Sequence, residues 1–187
     1  MKTLSLFYPG CIEFEIMLAC ELVHKTFPVE IATPDGSDHQ GSNGMIIKAH
    51  HSYDNVQVGD YRLILVPGGN PDSVVELRSL RELLQKSYHQ GCIIGAICAG
   101  PVLLERAGLL KGRRIAHGYK DRQMAFFKKH GVFAETVLTD EAIIVDGTIV
   151  TAKPNAFIDF AVELARLSGV VEESRIDALK RYYRGKA

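Results

Sequence analysis

The sequence predicts an α/β sandwich, in which a mostly parallel β-sheet is covered by helices on both faces. Segments with strand and helix patterns alternate along the 187 residues. Two strand segments, Arg62–Val66 and Cys92–Ile97, are almost wholly apolar, as expected for strands buried on both faces of a parallel sheet. Functional residues of such sheets lie beyond the carboxyl ends of the strands. Functional residues are therefore expected in segments 9–15, 67–70 and 98–100.

The first half of the chain is predicted to form four strand segments and two helices. They are the strand Thr3–Phe7, the helix Glu13–Lys25, the strand Val29–Thr33, a strand pair or arm at Met45–Ser52, the strand Arg62–Val66 and a helix from Asn70 to about Tyr88. Ile16, Ala19 and Val23 have the spacing of one helix face. Asn70 and Pro71 are typical of an N-cap followed by a first-turn proline.

The second half continues the alternation. Its predicted elements are the strand Cys92–Ile97, the helix Gly100–Ala107, the strand Arg113–Ala116, the helix Lys120–Lys129, the strands Val132–Leu138, Ala142–Val145 and Thr148–Thr151, the helix Pro154–Leu167 and the helix Glu172–Tyr183. Asp146-Gly147 is a hairpin signal between the last two strands. We expect one domain over residues 1–187, with its core in residues 1–169 and an amphipathic C-terminal helix at about 171–184.

Composition excludes several classes of function. The chain has 22 basic and 22 acidic residues, whereas a nucleic-acid binder normally has a basic excess on one face. No apolar run approaches the ~20 residues of a membrane span. The first strand stops at Pro9-Gly10, too early for a secretory leader. Four cysteines without CxxC pairs favour free thiols in a reducing compartment, so we expect a cytoplasmic protein that binds neither nucleic acid nor membrane.

Cys98 lies where a buried strand is followed at once by a helix. Such a junction is typical of a nucleophile elbow, in which a sharp turn exposes one side chain in a strained backbone conformation. Ala96, Ala99 and Gly100 supply the small neighbours that the turn requires. The helix N-terminus would favour the thiolate and lower the cysteine pKa. A buried, inert cysteine is the alternative, and Cys92, among isoleucines in mid-strand, fits that description.

Two further segments end at the same edge of the sheet. Gly68 and Gly69 follow a buried strand, and their amides could form an oxyanion or substrate-binding site together with the amide of Ala99. Glu13 and Glu15 begin the first helix. Only one of them can face the crevice, because successive helical residues point about 100° apart. Glu13 is expected to be the surface residue.

Among the seven histidines, His117 follows a predicted strand and could reach the crevice. No His, Cys and Asp spacing resembles a zinc site, and no glycine-rich motif resembles a phosphate loop. We therefore expect neither a metal nor a cofactor.

The strings Leu65-Val66-Pro67-Gly68-Gly69-Asn70 and Ala96-Ile97-Cys98-Ala99-Gly100-Pro101 together resemble the DJ-1/ThiJ/PfpI superfamily. The second string is similar to the branch that contains the Parkinson-associated protein and its bacterial ThiJ-like relatives. The resemblance implies a flavodoxin-like three-layer sandwich, usually a homodimer, with an oxidisable cysteine. It places the glutamate that pairs with the cysteine at Glu15, and the family's nearby histidine at His117.

The sequence also departs from the family's branches. The protease-like and chaperone-glyoxalase branches have a histidine directly after the cysteine, where this chain has Ala99. The isonitrile hydratase branch resembles the segment Tyr8–Glu13, but it has aspartate at the position of Glu15 and threonine at that of Ala99. Amidotransferase chemistry needs a late histidine, and none follows His130.

These observations give one leading hypothesis and two alternatives. The leading hypothesis is a cysteine-dependent enzyme that acts on small reactive carbonyls, similar to a glyoxalase or deglycase. In it Cys98 is the nucleophile, a protonated Glu15 is coupled to it, and His117 is a second acid or base. The alternatives are a redox-responsive protein with an oxidisable Cys98 and an isonitrile hydratase-like hydrolytic enzyme. Cys11, after the first strand, is either a resolving thiol or a bystander.

Overall fold

The computed structural model describes residues 1–186, and its centre is a seven-stranded sheet. The thirteen strands of the chain are β1 (Lys2–Leu6), β2 (Cys11–Ile12), β3 (Val29–Thr33), β4 (His39–Gln40), β5 (Ile46–Ile47), β6 (His51–Ser52), β7 (Tyr61–Val66), β8 (Gly68–Gly69), β9 (Ile93–Ile97), β10 (Arg114–Ala116), β11 (Val137–Thr139), β12 (Ile143–Asp146) and β13 (Ile149–Ala152). The order in the central sheet is β12-β13-β9-β7-β1-β3-β6. All neighbouring pairs are parallel except β12 with β13, which form a hairpin.

Six helices accompany the sheet. They are α1 (Phe14–Val23), α2 (Arg78–His89), α3 (Pro101–Arg106), α4 (Asp121–Lys129), α5 (Phe157–Leu167) and α6 (Ile176–Tyr183). Helices α1 and α5 pack on each other, and α5 also packs against β9 and β13. The central strands β1, β7 and β9 are buried almost throughout. This architecture confirms the predicted α/β sandwich with a mostly parallel sheet.

Gly95 explains how α5 comes so close to the centre of the sheet. A Cβ at this position would lie 2.7 Å from a Leu164 methyl and 2.8 Å from the Phe160 ring. The absence of a side chain on β9 therefore makes room for the apolar face of α5, directly below the turn that carries Cys98.

Two predicted elements are shorter than expected. The segment predicted as a strand over Val132–Leu138 is strand only at Val137–Thr139. Phe133 has a φ of +62°, which is incompatible with a strand, and its amide is held by a Glu105 carboxylate oxygen at 3.0 Å. The helix predicted from Asn70 begins only at Arg78, because the Asn70 side chain accepts the Asp72 amide in a local turn.

The structure also gives more exact bounds for the predicted arm at Met45–Ser52 and for the C-terminal helix. The predicted strand pair at Met45–Ser52 is formed by the hairpin β4–β5 and the separate edge strand β6. The C-terminal helix is α6, which follows a short 3₁₀ turn at Glu173–Arg175 and packs on α5. In the described part of the chain, no helix has the length and apolar character needed to cross a membrane.

Candidate functional site

Cys98 lies between β9 and α3 in a left-handed backbone conformation, with a φ of +61°. Few residues other than glycine adopt this conformation, so the surroundings must hold it in place. The Cys98 amide donates to the Ala152 carbonyl at 2.9 Å, and the Gly118 amide donates to the Cys98 carbonyl at 3.0 Å. Both backbone groups of the strained residue are thus fixed by neighbouring segments. This geometry is that of the predicted elbow.

The side chain of Glu15 meets Cys98 at Gly68. The Gly68 amide donates to Glu15 Oε2 at 2.9 Å, and the Glu15 carboxyl and the Cys98 thiol converge beside this glycine and shift each other's pKa. A Cβ at Gly68 would lie 2.5 Å from the Cys98 Cβ and 2.6 Å from Glu15 Oε2. Only glycine at this position therefore allows the two side chains to meet.

Two backbone amides point at the sulfur. Those of Gly69 and Ala99 donate hydrogen bonds toward the Cys98 thiol, and they favour its ionised form. A Cβ at Gly69, which has a φ of +108°, would lie 2.4 Å from the Gly10 carbonyl oxygen. The predicted oxyanion role of Gly69 and Ala99 is compatible with this geometry. The Gly68 amide is already engaged by Glu15, so its part is to fix the carboxyl.

The electrostatics of the pair oppose two negative charges. Burial, then the charge and hydrogen bond of an ionised Glu15, raise the pKa of Cys98 to about 12. Burial also raises the pKa of Glu15. A helix N-terminus alone predicts the opposite direction for the thiol, but burial and the carboxylate outweigh the Ala99 and Gly69 amides. The two groups therefore oppose each other's ionisation, and their titrations are linked.

Tyr8 supports the site from below, and the sequence analysis did not single it out. Its side chain is fully buried, and its hydroxyl lies 2.9 Å from the Pro67 carbonyl oxygen and 2.8 Å from that of Gly68. The hydroxyl can donate to either carbonyl, and so it positions the loop that presents the Gly68 and Gly69 amides. The available signal was its place two residues after the end of β1, at the carboxyl edge of the sheet.

Comparison with known proteins bears on this arrangement. The family model described as the DJ-1/PfpI family matches residues 1–167. The chain belongs to the DJ-1/PfpI family. The match includes Glu15, the Gly68-Gly69 turn, the Cys98 elbow and His117.

Relatives with curated sequences are distant. An uncharacterised protein of Archaeoglobus fulgidus is 28% identical over 170 residues, which is 89% of this chain and 91% of the relative. The deglycase PfpI of Pyrococcus furiosus is 27% identical over 60% of this chain and 65% of its own length. An uncharacterised protein of Methanocaldococcus jannaschii is 29% identical, and the match spans 60% of that relative's length.

Solved structures of the superfamily share the fold. A DJ-1 superfamily protein of Agrobacterium tumefaciens superposes over the full length of both chains with a TM-score of 0.82 and 21% identity. DJ-1beta of Drosophila melanogaster covers 98% of both chains with a TM-score of 0.77 and 22% identity. These similarities confirm the flavodoxin-like sandwich that the resemblance implied.

His117 lies beside the elbow of this DJ-1/PfpI chain rather than against the thiol. Its ring stacks on Tyr119 with centroids 5.1 Å apart, and its Nδ1 accepts the Tyr119 amide at 3.2 Å. Burial, with the positive charge of Lys153, lowers the pKa of His117 and favours the neutral ring. The next residue, Gly118, packs on the backbone of Cys98. The end of β10 therefore lies beside the elbow, as the sequence predicted. A catalytic role for the His117 ring stays a prediction.

The other cysteines are not in the cleft. Cys92 is buried in the core, as predicted, whereas Cys20 is half-buried with its sulfur 3.5 Å from the Ser5 hydroxyl. Cys11 is buried in β2, and its pKa is raised to about 11 by burial. A buried, protonated thiol is a poor attacking group, which favours the bystander interpretation of Cys11.

The expectation that Glu13 is a surface residue is wrong. Its side chain is 1% exposed, and its carboxyl oxygens lie 2.5 and 2.7 Å from where a Gly41 Cβ would be. The missing side chain at Gly41 allows the loop after β4 to close over this carboxyl. Neither oxygen has a hydrogen-bond partner in residues 1–186. Glu13 is the N-cap residue of α1, and it is buried because the loop at Gly41 covers it; it does not line the cleft.

Cys98 opens into a cleft of about 1010 Å³. The cleft also extends along α3 and α4 and the segment 69–76. Among the described residues, no group of three or more His, Cys, Asp or Glu side chains has a metal-binding arrangement. Cys98, Gly69 and Ala99 line this cleft, and Glu15 approaches Cys98 from beside Gly68.

Proposed function

We propose that the protein is a cysteine-dependent enzyme that acts on small reactive carbonyl compounds, as a glyoxalase or deglycase does. The observation that carries the proposal is the convergence of Glu15 and Cys98 at a strained elbow, where Glu15 Oε2 and Cys98 Sγ lie 2.6 and 2.9 Å from the position that a Gly68 Cβ would take. The deglycase name of relatives such as that of Pyrococcus furiosus supports the same class of chemistry.

In the first step Cys98 Sγ forms a bond to the aldehyde carbon, and the π electrons of the carbonyl move to its oxygen. The thiol proton passes to the Glu15 carboxylate, which converges with the sulfur beside Gly68. This transfer removes the obstacle of the raised thiol pKa, because sulfur never has to coexist as a free thiolate with an ionised Glu15. The Gly69 and Ala99 amides stabilise the oxyanion, which then takes the proton from Glu15 to give a hemithioacetal.

For a 2-oxoaldehyde, Glu15 next removes the proton from the hemithioacetal carbon, which gives an enediol, and returns it to the neighbouring carbon, while the hemithioacetal hydroxyl proton moves to the former ketone oxygen. The aldehyde carbon is thereby oxidised to a thioester while the ketone is reduced to an alcohol. Water hydrolyses the thioester, releases a 2-hydroxy acid and restores the Cys98 thiol. The sum is the addition of one water to the 2-oxoaldehyde, so no external oxidant or reductant is required.

Proton NMR of methylglyoxal incubated with the purified protein tests the activity. We expect lactate to form in proportion to enzyme concentration. Replacing methylglyoxal with its preformed hemithioacetal of N-acetylcysteine distinguishes a glyoxalase from a deglycase. A deglycase releases free N-acetylcysteine faster than the hemithioacetal decomposes spontaneously. No enzyme-dependent product from either compound would contradict the proposal.

A redox-responsive role for Cys98 is the second candidate. The Gly69 and Ala99 amides near its sulfur could donate hydrogen bonds to the oxygens of a sulfinate. Cys98 is also the cysteine that lines the cleft. Intact-mass spectrometry with peptide mapping after mild peroxide treatment distinguishes this role. A gain of two oxygens on Cys98 alone supports it, and a protein that turns over carbonyls but shows no such gain excludes it.

A further inference from the structure

The cleft is much larger than a three-carbon dicarbonyl requires. Its volume of about 1010 Å³ is at the upper end of the ~300–1,000 Å³ range of pockets that bury drug-sized ligands. The reacting groups occupy only its floor, where Cys98 and Gly69 line it. The remaining space extends away from the sulfur, toward α4.

The walls of this extension are apolar. Val75, Val102, Phe126 and Phe127 line it, and Phe126 is 54% exposed although it is a large aromatic residue. Phe127 packs on the buried rings of Tyr119 and Phe133, and Phe126 beside it on α4 is the aromatic residue that remains exposed at the cleft wall. An exposed aromatic wall beside a nucleophile indicates a ligand with an apolar body.

The same extension carries unbalanced positive charge. Arg106, Lys120 and Arg122 line it, together with the carboxylates of Asp72 and Glu76. Arg106 is paired with Glu76, with Nε to Oε1 at 3.4 Å. Neither Lys120 nor Arg122 forms an ion pair with a carboxylate of residues 1–186. Two cations at the start of α4 are therefore free to bind an anionic group.

From these observations we propose that the preferred substrate is a 2-oxoaldehyde or related reactive carbonyl with an aromatic or aliphatic body and an anionic end, a carboxylate or a phosphate. The carbonyl meets Cys98, the body lies along Val102 and Phe126, and the anionic end lies at Lys120 and Arg122. This assignment rests on the proposed carbonyl chemistry, and it names the substrate class of that same site.

Binding of unreactive ligands tests the assignment apart from turnover. The probes are 4-acetylbenzoate and its neutral analogue 4-acetylbenzamide, titrated by calorimetry into the Cys98→Ser variant at low ionic strength. We expect the carboxylate to bind about fivefold more tightly than the amide, as a contact with one or two exposed cations provides. Raising the salt concentration should reduce this difference, because exposed charges are screened.

Matched variants of α4 locate the effect. In the Cys98→Ser background, Arg122→Gln and Lys120→Gln should each remove most of the preference and leave binding of 4-acetylbenzamide unchanged. Lys128→Gln is the control, because Lys128 is exposed on the same helix but does not line this cleft. Equal affinity for the two probes, or an equal effect of Lys128→Gln, would overturn the assignment.

Turnover distinguishes this inference from the function on which it rests. With active protein, kcat/KM for 4-carboxyphenylglyoxal should exceed that for phenylglyoxal by a similar factor, and Arg122→Gln should abolish the difference. If the carboxylate probe binds preferentially but no glyoxal is converted, the carbonyl function fails and the anion subsite stands. If both glyoxals are converted at equal rates in wild type and Arg122→Gln, the function stands and the anion subsite is refuted.

Discussion

At the scale of single residues, the proposed chemistry depends on a proton that Glu15 and Cys98 share. The two side chains converge beside Gly68, where burial raises the pKa of both groups. The Gly68 amide holds the carboxyl, and the Gly69 and Ala99 amides face the sulfur. Moving the proton from sulfur to carboxyl therefore shifts the single negative charge over a short distance within a prepared set of donors.

Replacing Glu15 with glutamine tests this coupling. The substitution removes the charge that opposes thiolate formation, so we expect the pKa of Cys98 to fall from about 12 by at least one unit. Thiolate absorbance near 240 nm, titrated in wild type and in Glu15→Gln, reports the change, with Cys98→Ser as the blank. Glu21→Gln, at the exposed face of α1, is the control. An unchanged or higher thiol pKa in Glu15→Gln would refute the coupling.

The sequence predicts the identities of these residues better than their surroundings. Cys98 and Glu15 could be selected because the ends of parallel strands meet at one edge of the sheet and because of the family resemblance. Glu13 could not be assigned correctly, since its burial depends on a loop that closes over it at Gly41. The donor role of the Gly68 amide toward Glu15 likewise depends on the position of the 67–69 loop, which Tyr8 fixes from within the core.

At the scale of elements, Glu30 of β3 joins its own strand to three others. Its carboxylate accepts hydrogen bonds from Lys2 Nζ at 2.7 Å, Tyr61 Oη at 2.5 Å and a ring nitrogen of His51 at 2.9 Å. Partial burial opposes ionisation, but these bonds outweigh it and hold the pKa of Glu30 at about 2. The residue thus links β3 to β1, to β7 and to the edge strand β6.

Glu30→Gln should lower the free energy of unfolding by about 1–2 kcal/mol at pH 7, since hydrogen bonds to charged groups are stronger than neutral ones and partial exposure weakens them. Because folding depresses the pKa of Glu30, its contribution is complete above the unfolded value near 4.5. It is lost as the pH falls toward 2. Urea unfolding of both proteins at pH 7 and pH 3 measures this.

The exposed pair of Glu82 with Arg78 on α2 provides the control for that experiment. Glu82→Gln should have a much smaller effect on the free energy of unfolding, because such exposed pairs are largely screened by solvent. A Glu30→Gln effect no larger than that of Glu82→Gln, or one that grows on acidification, would contradict the role assigned to Glu30.

The order and type of the main elements can be predicted from hydrophobic periodicity and from glycine and proline turn signals, but some of their boundaries cannot. The strand predicted over Val132–Leu138 is apolar, yet the Glu105 carboxylate holds residues 133 and 136 in a turn instead. Such a contact joins positions 28 to 31 residues apart in sequence. Local sequence patterns cannot predict such a contact. They also do not predict that α2 begins only at Arg78.

At the scale of the whole molecule, the fold gathers residues from distant segments at the carboxyl edge of the sheet. Residues after β1, β7 and β9 supply the glutamate, the amides and the thiol. The α/β class and the functional edge are both predictable from the sequence, because strand order does not alter where parallel strands end. The cleft wall is not, since it depends on how α4 lies against the elbow and on which of its side chains face the space.

The proposed activity depends on Cys98 as the nucleophile. The most direct test is the rate of enzyme-dependent conversion of methylglyoxal by wild type, Cys98→Ser and Cys20→Ser at equal concentrations. Cys20 is a half-buried thiol that contacts Ser5 and does not line the cleft. We expect Cys98→Ser to lose activity by about a thousandfold or more, as removal of a nucleophile does, and Cys20→Ser to keep it. Measurable wild-type activity with equal rates in all three proteins would contradict the account.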